Sequence, residues 1–311
     1  ASLGEIKVID LIKEKLGAIS PQSPEGIGDD CAVINIEGKK NILLTTDGVT
    51  FGKHFDEKIT PRQVAGKLLK RNLSDIAAMG GEAGSALLVI QSGKNLSIQW
   101  LEHFIEGLSE SCSQYSVNIS GGDLSEGPQG FFSAYLMQTG FANNTLQRSN
   151  AQPNDNIFVT GLLGGSLNQK HYSFEPRLKE GKWLVSQKTI SSMTDITDGL
   201  AKDIFNILPH STNAHIDTTN IPISPDAINC AKASKKTPLE HAFCDGEDYE
   251  LLFTLSSTEF PSKFKKMWLN EFGYAVHQIG TIHTSDNGDR QIIDSQTLQP
   301  LNIKQGYEHF R

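Results

Sequence analysis

The sequence predicts a two-domain protein of the mixed α/β (α+β) class, and three observations carry that reading. Its 311 residues exceed the size at which one hydrophobic core usually keeps growing. Short apolar runs of strand character alternate with helical periodicity along the whole chain. After Phe141 the pattern breaks into the polar stretch ANNTLQRSNAQPND and then restarts at NIFVTG. The break divides the chain into residues 1–142 and 151–311, with a linker near residue 145.

The elements follow in order. EIKVIDLIKEKL at 5–16 places Ile6, Ile9, Ile12 and Leu16 at helical spacing. CAVINI, NILLTT, SALLVI, VNIS and FFSAYLMQTGFA read as strands, with helices over 61–79 and 97–115. The first of these helices opens on Thr60-Pro61, an N-cap followed by proline at the first helical position. The apolar strands of this half would leave one sheet face exposed unless a partner covered it, so a homodimer is expected. In the second half GLLGGS at 161–166 lacks the lysine of a P-loop and reads as a tight strand-to-helix turn. A basic-aromatic segment, KHYSFEPRLKEGKW, precedes SSMTDIT, which leads into a helix through DGLAKDIFNIL. AHIDT, YELLFTL, YAVHQIGTI and RQIID complete the strands.

Composition excludes several classes. A net charge of −8, with 21% charged and 38% hydrophobic residues, describes an ordinary globular chain without the clustered Lys and Arg of a nucleic-acid surface. The four cysteines, Cys31, Cys112, Cys230 and Cys244, show neither metal-ligand spacing nor disulfide density, consistent with reduced thiols. The longest apolar run, ALLVI at 86–90, is too short to span a bilayer, and no basic-then-apolar leader is legible. The expected location is cytoplasmic, with no membrane or nucleic-acid partner.

The chemistry lies in six aspartates. Asp30, Asp47, Asp75, Asp123, Asp195 and Asp198 stand at the ends of apolar runs or in Gly-rich turns, within GIGDD, LLTTDG, NLSDIAAMGG, ISGGD and TDITDG. Asp and Gly populate turns and helix caps for local reasons alone. Their recurrence beside strongly apolar segments argues for more, because a carboxylate at such a position is stabilised by a facing cation. Mg²⁺ takes oxygen ligands and is commonly held by a few carboxylates together with substrate phosphates. The pattern therefore points to several magnesium ions around a polyphosphate.

The ordered set GIGDDCAV, TTDGVTFGKHF, RNLSDIAAMGGEAG, ISGGDLSEGP, TDITDGLAKD and CDGEDYELLFT resembles the thiamine-monophosphate kinase family, within the aminoimidazole ribonucleotide synthetase-like ATP-binding superfamily. The likeness runs from Gly4 to the closing GYEHF at 306–310, and GEDYEL with NLSDIAAMG is its most specific part. The resemblance implies an N-terminal domain whose sheet pairs across a homodimer, a larger C-terminal α/β domain, and a cleft between them. It implies ATP as co-substrate, several Mg²⁺ ions, and thiamine monophosphate as the acceptor that becomes thiamine diphosphate. Carried over by position, Asp30, Thr45, Thr46, Asp47, Asp75, Asp123, Asp195 and Asp198 match metal ligands. Gly122, Asp123, Arg148 and Thr197 match nucleotide contacts, and His54, Glu247 and Tyr307 match contacts to the thiamine substrate.

Phosphoryl transfer asks for alignment and charge neutralisation rather than covalent work. The acceptor phosphate is itself a nucleophile near neutral pH, so no general base or covalent nucleophile is assigned. Two departures from the family pattern stand out. The stretch 161–183 is short, which bears on a loop expected on the C-terminal side of the cleft, and Asp245 adds charge before Gly246-Glu247-Asp248. Two other readings stay open. One is a different ATP-dependent enzyme of the superfamily, such as an aminoimidazole ribonucleotide synthetase-like protein. The other is a non-catalytic nucleotide- or metal-binding scaffold.

Overall fold

A computed structural model describes residues 4–285, 288–301, 303 and 306. The first half contains α1 (Glu5–Leu16), β1 (Ala32–Ile34), β2 (Asn41–Thr50), α2 (Pro61–Ala78), β3 (Glu82–Ser92), α3 (Ile98–Tyr115), β4 (Ile119–Glu126) and β5 (Phe132–Ala142). The second contains β6 (Asn156–Val159), α4 (Lys170–Ser173), α5 (Leu178–Ser186), β7 (Ile190–Asp195), α6 (Leu200–Ile207), β8 (Thr212–Ile216), α7 (Pro225–Ala233), α8 (Pro238–Cys244), β9 (Leu251–Leu255), α9 (Pro261–Phe272), β10 (His277–Thr284) and β11 (Ile292–Asp294).

The chain forms two compact units. One comprises residues 30–145 and 171–182; the other comprises 1–29, 146–170 and 183–311. This partition departs from the division at 1–142 and 151–311 in two places, each with a physical reason. Residues 1–29 join the second-half unit, where Glu5 of α1 pairs with Lys202 of α6 at 2.9 Å. Residues 171–182 join the first-half unit, although they were expected on the C-terminal side. The Tyr172 carbonyl accepts from Lys70 Nζ at 2.9 Å, Leu178 packs on the buried core, and a Cβ on Gly181 would lie 2.0 Å from the Ala77 carbonyl oxygen. Within the polar stretch after Phe141, Leu146 and Ala151 are buried.

In the first-half unit the described strands form a five-stranded mixed sheet, ordered β1-β2-β5-β3-β4, with β3 and β4 parallel and the other pairs antiparallel. A Thr60–Gln63 capping box and Pro61 start α2, whose apolar face packs with Phe104 and Leu108 of α3 over Val49, Ile90, Ala134 and Leu136 of the sheet. Period-2 alternation is plain along β5, where Ala134, Leu136 and Gln138 are buried while Tyr135, Met137 and Phe141 are exposed. Helices thus cover one face, and on the other an apolar patch is open in the single chain.

In the second-half unit the described strands form a six-stranded sheet, ordered β11-β8-β10-β6-β9-β7, antiparallel except for β11 against β8. Its core gathers Ile157, Val159, Leu252 and Ile279 from the strands with Leu200, Ile204 and Phe243 from α6 and α8. An aromatic group, Phe158, Trp183, Phe253, Phe264 and Trp268, packs α9 and the end of α5 together. Helices α7, α8 and α9 were not anticipated from the sequence, though each starts at proline.

Candidate functional site

Asp47, Asp75 and Asp123 do not lie in turns. Asp47 is within β2, Asp75 within α2 and Asp123 within β4, so the turn reading of GGD and TTDG is corrected. Regular elements set the direction of a side chain more tightly than loops do, which suits a site that must converge.

In the first-half unit one carboxylate oxygen of Asp30, just before β1, lies within 4.8 Å of one from Asp75. The Thr45 hydroxyl donates to Asp75 Oδ2. Alternation along β2 puts Thr45 and Asp47 on one face and Thr46, which is exposed, on the other. Asp47 is tied to α2: Arg71 Nε donates to its Oδ2 at 2.9 Å, and its backbone N–H donates to Asn72 Oδ1 at 2.9 Å. Neither Arg71 nor Asn72 was singled out in advance. Their signal was their place immediately before Leu73-Ser74-Asp75, one helical turn from the acidic side chain.

Asp123 and Gly122 sit on the exposed edge strand β4, opposite Val89 and Leu88 of β3. Gly122 is required there, because a Cβ would lie 1.7 Å from the Leu88 carbonyl oxygen. His54 closes the turn after β2. Its Nδ1 accepts from the Thr50 N–H at 3.0 Å, and its own N–H donates to the Thr50 carbonyl at 2.9 Å. Any bond from this ring to a ligand must therefore come through Nε2.

In the second-half unit the segment 194–198 and the loop 245–250 are laced together. Ile196 N–H donates to the Glu250 carbonyl at 2.8 Å, Tyr249 N–H to the Ile196 carbonyl at 2.9 Å, and Glu247 N–H to the Thr197 carbonyl at 2.7 Å. Glu247 and Tyr249 both adopt left-handed backbone, with φ of 53° and 51°. Each such residue costs about 1–2 kcal/mol, and strain of this kind gathers where surrounding structure holds a functional group in place. The Tyr249 hydroxyl donates to Glu247 Oε1 at 3.1 Å.

Arg148 is fixed beside this segment rather than extended into solvent. Its Nε donates to the Thr194 hydroxyl at 3.0 Å, and its backbone N–H donates to Asp29 Oδ2 at 3.2 Å. Asp195 is buried at the end of β7, whereas Asp198 pairs with Lys202 Nζ at 2.6 Å. Burial depresses the Lys202 ammonium, but its bonds to Asp198 and Glu5 more than offset this and leave its pKa raised. Under the turn lies Asp203, whose Oδ2 accepts from the Thr197 and Asp198 N–H groups at 3.0 and 3.2 Å. Burial first, then the Asp198 and Asp195 charges, holds its carboxyl well above the usual range. Asp29, Lys202 and Asp203 were missed by sequence reasoning; GIGDD and DGLAKD offered the acids, but nothing local marked them as anchors.

The glycine turn after β6 docks on the acidic loop. Gly164 N–H donates to Asp248 Oδ1 and Gly165 N–H to Asp245 Oδ2, both at 2.9 Å, while Lys170 Nζ meets Glu250 Oε1 at 2.8 Å. Asp248 is fully buried, its Oδ2 accepts no hydrogen bond from the described residues, and burial pushes its carboxyl up to about 7. Tyr307 lies outside the described residues.

Residues 28–142 match the family described as AIR synthase related protein, N-terminal domain. A thiamine-monophosphate kinase of Rhodopirellula baltica is 33% identical over 273 residues, spanning 84% of this chain and 84% of that protein. This chain belongs to the thiamine-monophosphate kinase family. The Escherichia coli member is 33% identical over 309 residues, covering 92% of this chain and 91% of the relative. Among solved structures, AaThiL complexed with AMPPCP and TMP superposes with a TM-score of 0.82 at 26% identity, covering 99% of this chain and 97% of that one. Thiamine monophosphate kinase from Aquifex aeolicus gives 0.76 at 25% identity, with 94% and 97% covered. Hydrogenase maturation protein HypE in complex with ATP, at 15% identity and a TM-score of 0.67 over 87% of this chain and 88% of that one, shares the fold. No described helix is long and apolar enough to cross a membrane.

Proposed function

We propose that this enzyme transfers the γ-phosphoryl group of ATP directly to the phosphate of thiamine monophosphate, giving thiamine diphosphate and ADP. The observation that carries the reading is family membership at 33% identity over most of the chain, supported by the full-length likeness to AaThiL with AMPPCP and TMP. In this reading Gly122, Asp123, Arg148 and Thr197 contact the nucleotide, and His54 and Glu247, with Tyr307, meet the thiamine end.

The donor set fits a hard divalent cation. The carboxylates of Asp30 and Asp75 and the Thr45 hydroxyl offer only oxygen, and one oxygen each from Asp30 and Asp75 come within 4.8 Å. Asp30, Thr45, Thr46, Asp47, Asp75, Asp123, Asp195 and Asp198 are the residues proposed to hold several Mg²⁺ ions. Bound there, Mg²⁺ would neutralise charge on two mutually repelling phosphate groups. The protein's own part is alignment: Arg148 is pre-oriented by Thr194 and Asp29, and Glu247 is held by Tyr249 and Thr197. The acceptor phosphate needs no base.

A homodimer belongs to the same reading. Tyr135, Met137 and Phe141 of β5 and Leu87 of β3 form an exposed apolar sheet face of the kind a second copy covers. A cytoplasmic location completes it. The test is ADP formation with purified protein, ATP and Mg²⁺. Thiamine monophosphate should stimulate it strongly and appear as thiamine diphosphate; ADP formation indifferent to thiamine monophosphate would refute the assigned acceptor.

A further inference from the structure

Lys67 is a buried cation with no place in the chemistry above. It sits on α2 with no solvent exposure. Its Nζ donates to the His54 carbonyl at 2.8 Å and lies 2.8 Å from Nδ1 of His171, itself only 7% exposed. Burying an ammonium is costly unless its donors are met by well-placed acceptors, so these contacts define where the chain can run on either side of α2. The His54 carbonyl belongs to the same short turn whose ring is already closed onto the Thr50 N–H. One helical turn further along α2, Lys70 repeats the arrangement, donating to the Tyr172 carbonyl at 2.9 Å and lying 4.9 Å from the Phe174 ring centroid.

We infer that Lys67 is a positioning residue for the acceptor end of the site: its ammonium, braced by His171, holds the 50–55 turn in the one conformation that presents His54. The inference rests on the reading of His54 as a substrate contact, but the structural half of it stands independently. Three features favour a positioning role over simple core filling. A methionine or leucine would fill the same volume without the desolvation cost. The bond goes to the backbone of the turn rather than to its side chain, so it constrains the turn's path. The second partner comes from residue 171, the start of the short segment that packs with this unit, so the turn and that segment share a single cation.

The variants are Lys67→Met, which keeps length and apolar volume but removes the donors, and His171→Asn, which retains an acceptor near the Nδ1 position. His171→Leu removes that acceptor. Amide hydrogen exchange is the first readout. Lys67→Met should speed exchange of Thr50 to Phe55 by about tenfold or more while amides of 42–46 in β2 keep their wild-type rates. Unchanged exchange across 50–55, or a uniform increase along β2, overturns the inference whatever the enzyme's acceptor proves to be.

Steady-state kinetics is the second. Lys67→Met should raise the KM for thiamine monophosphate about five- to tenfold with little change in the KM for ATP. His171→Leu should act in the same direction, and His171→Asn should recover most of the loss. His54→Ala separates the two failures. If it raises the acceptor KM and Lys67→Met does not, the positioning role is wrong. If it leaves the acceptor KM unchanged while exchange in the Lys67→Met turn still accelerates, the role assigned to His54 is wrong and the brace stands.

Discussion

The backbone N–H of Glu247 donates to the carbonyl of Thr197 at 2.7 Å, so the segment bearing Asp195 and Asp198 and the loop bearing Glu247 are tied together through the main chain. Between them Gly246, at φ 72°, leaves no room for a side chain: a Cβ would lie 2.7 Å from the same Thr197 carbonyl oxygen. Residues assigned to nucleotide and metal are thereby linked to one assigned to the acceptor.

Glu247→Gln should raise the KM for thiamine monophosphate with little change for ATP, since a contact made equally in ground and transition states acts on KM. Loss of a charge-assisted contact is worth about 1–3 kcal/mol, or about five- to a hundredfold. Tyr249→Phe removes the hydroxyl that orients Glu247 at 3.1 Å and should give a smaller shift of the same kind, about two- to fivefold. Varying each substrate in turn checks both; equal weakening for ATP would move Glu247 out of the acceptor pocket.

Asp123→Asn and Asp47→Asn should both lose at least about a hundredfold in kcat at saturating Mg²⁺. Their thermal melts should differ. Asp123 is exposed on an edge strand and its amide variant should melt like wild type, whereas Asp47→Asn weakens the bond to Arg71 and should cost about 1 kcal/mol. Wild-type turnover in both variants would contradict the metal assignment.

Asp248 makes stability depend on pH in a defined direction. Its folded pKa of about 7 lies above the ordinary carboxylate value, so the folded state binds the proton more tightly than the unfolded chain does. The stability it contributes is present in full below pH 4 and is lost as pH rises towards 7. Asp248→Asn, which keeps an acceptor for Gly164, should therefore gain on wild type by about 1.4 kcal/mol per pH unit across pH 5 to 7 and then level off. Denaturant melts of both proteins at several pH values measure this; parallel curves would show that the burial charge is offset elsewhere.

Light scattering at micromolar concentration should return about twice the chain mass of 34.0 kDa. Replacing Met137 and Phe141 on the open sheet face with lysine should return the single-chain mass without unfolding, because both side chains are already solvent-exposed in one chain. A wild-type mass near that of one chain would rule out the dimer.

The sequence by itself determined the alternation of strands and helices, the start of α2 at Thr60-Pro61, and the family, because each rests on local spacing or on short ordered strings. It also named the acidic residues. Tertiary structure alone decided what surrounds them. Asp47 and Asp123 looked like turn residues because Gly stands beside each, yet they lie in strands, Asp47 paired with Leu136 of β5 and Asp123 with Val89 of β3, and the Asp47 N–H is met by the Asn72 side chain of α2, a partner no local pattern shows. The segment 171–182 was read with the C-terminal half by its position in the chain, and it packs with α2, where Lys67 Nζ lies against the His171 ring and Lys70 Nζ donates to the Tyr172 carbonyl. Asp203 and Lys67 carried no legible signal, since the cost of burying a charge is set by partners tens of residues away or by a turn's final geometry, and neither is written in local spacing.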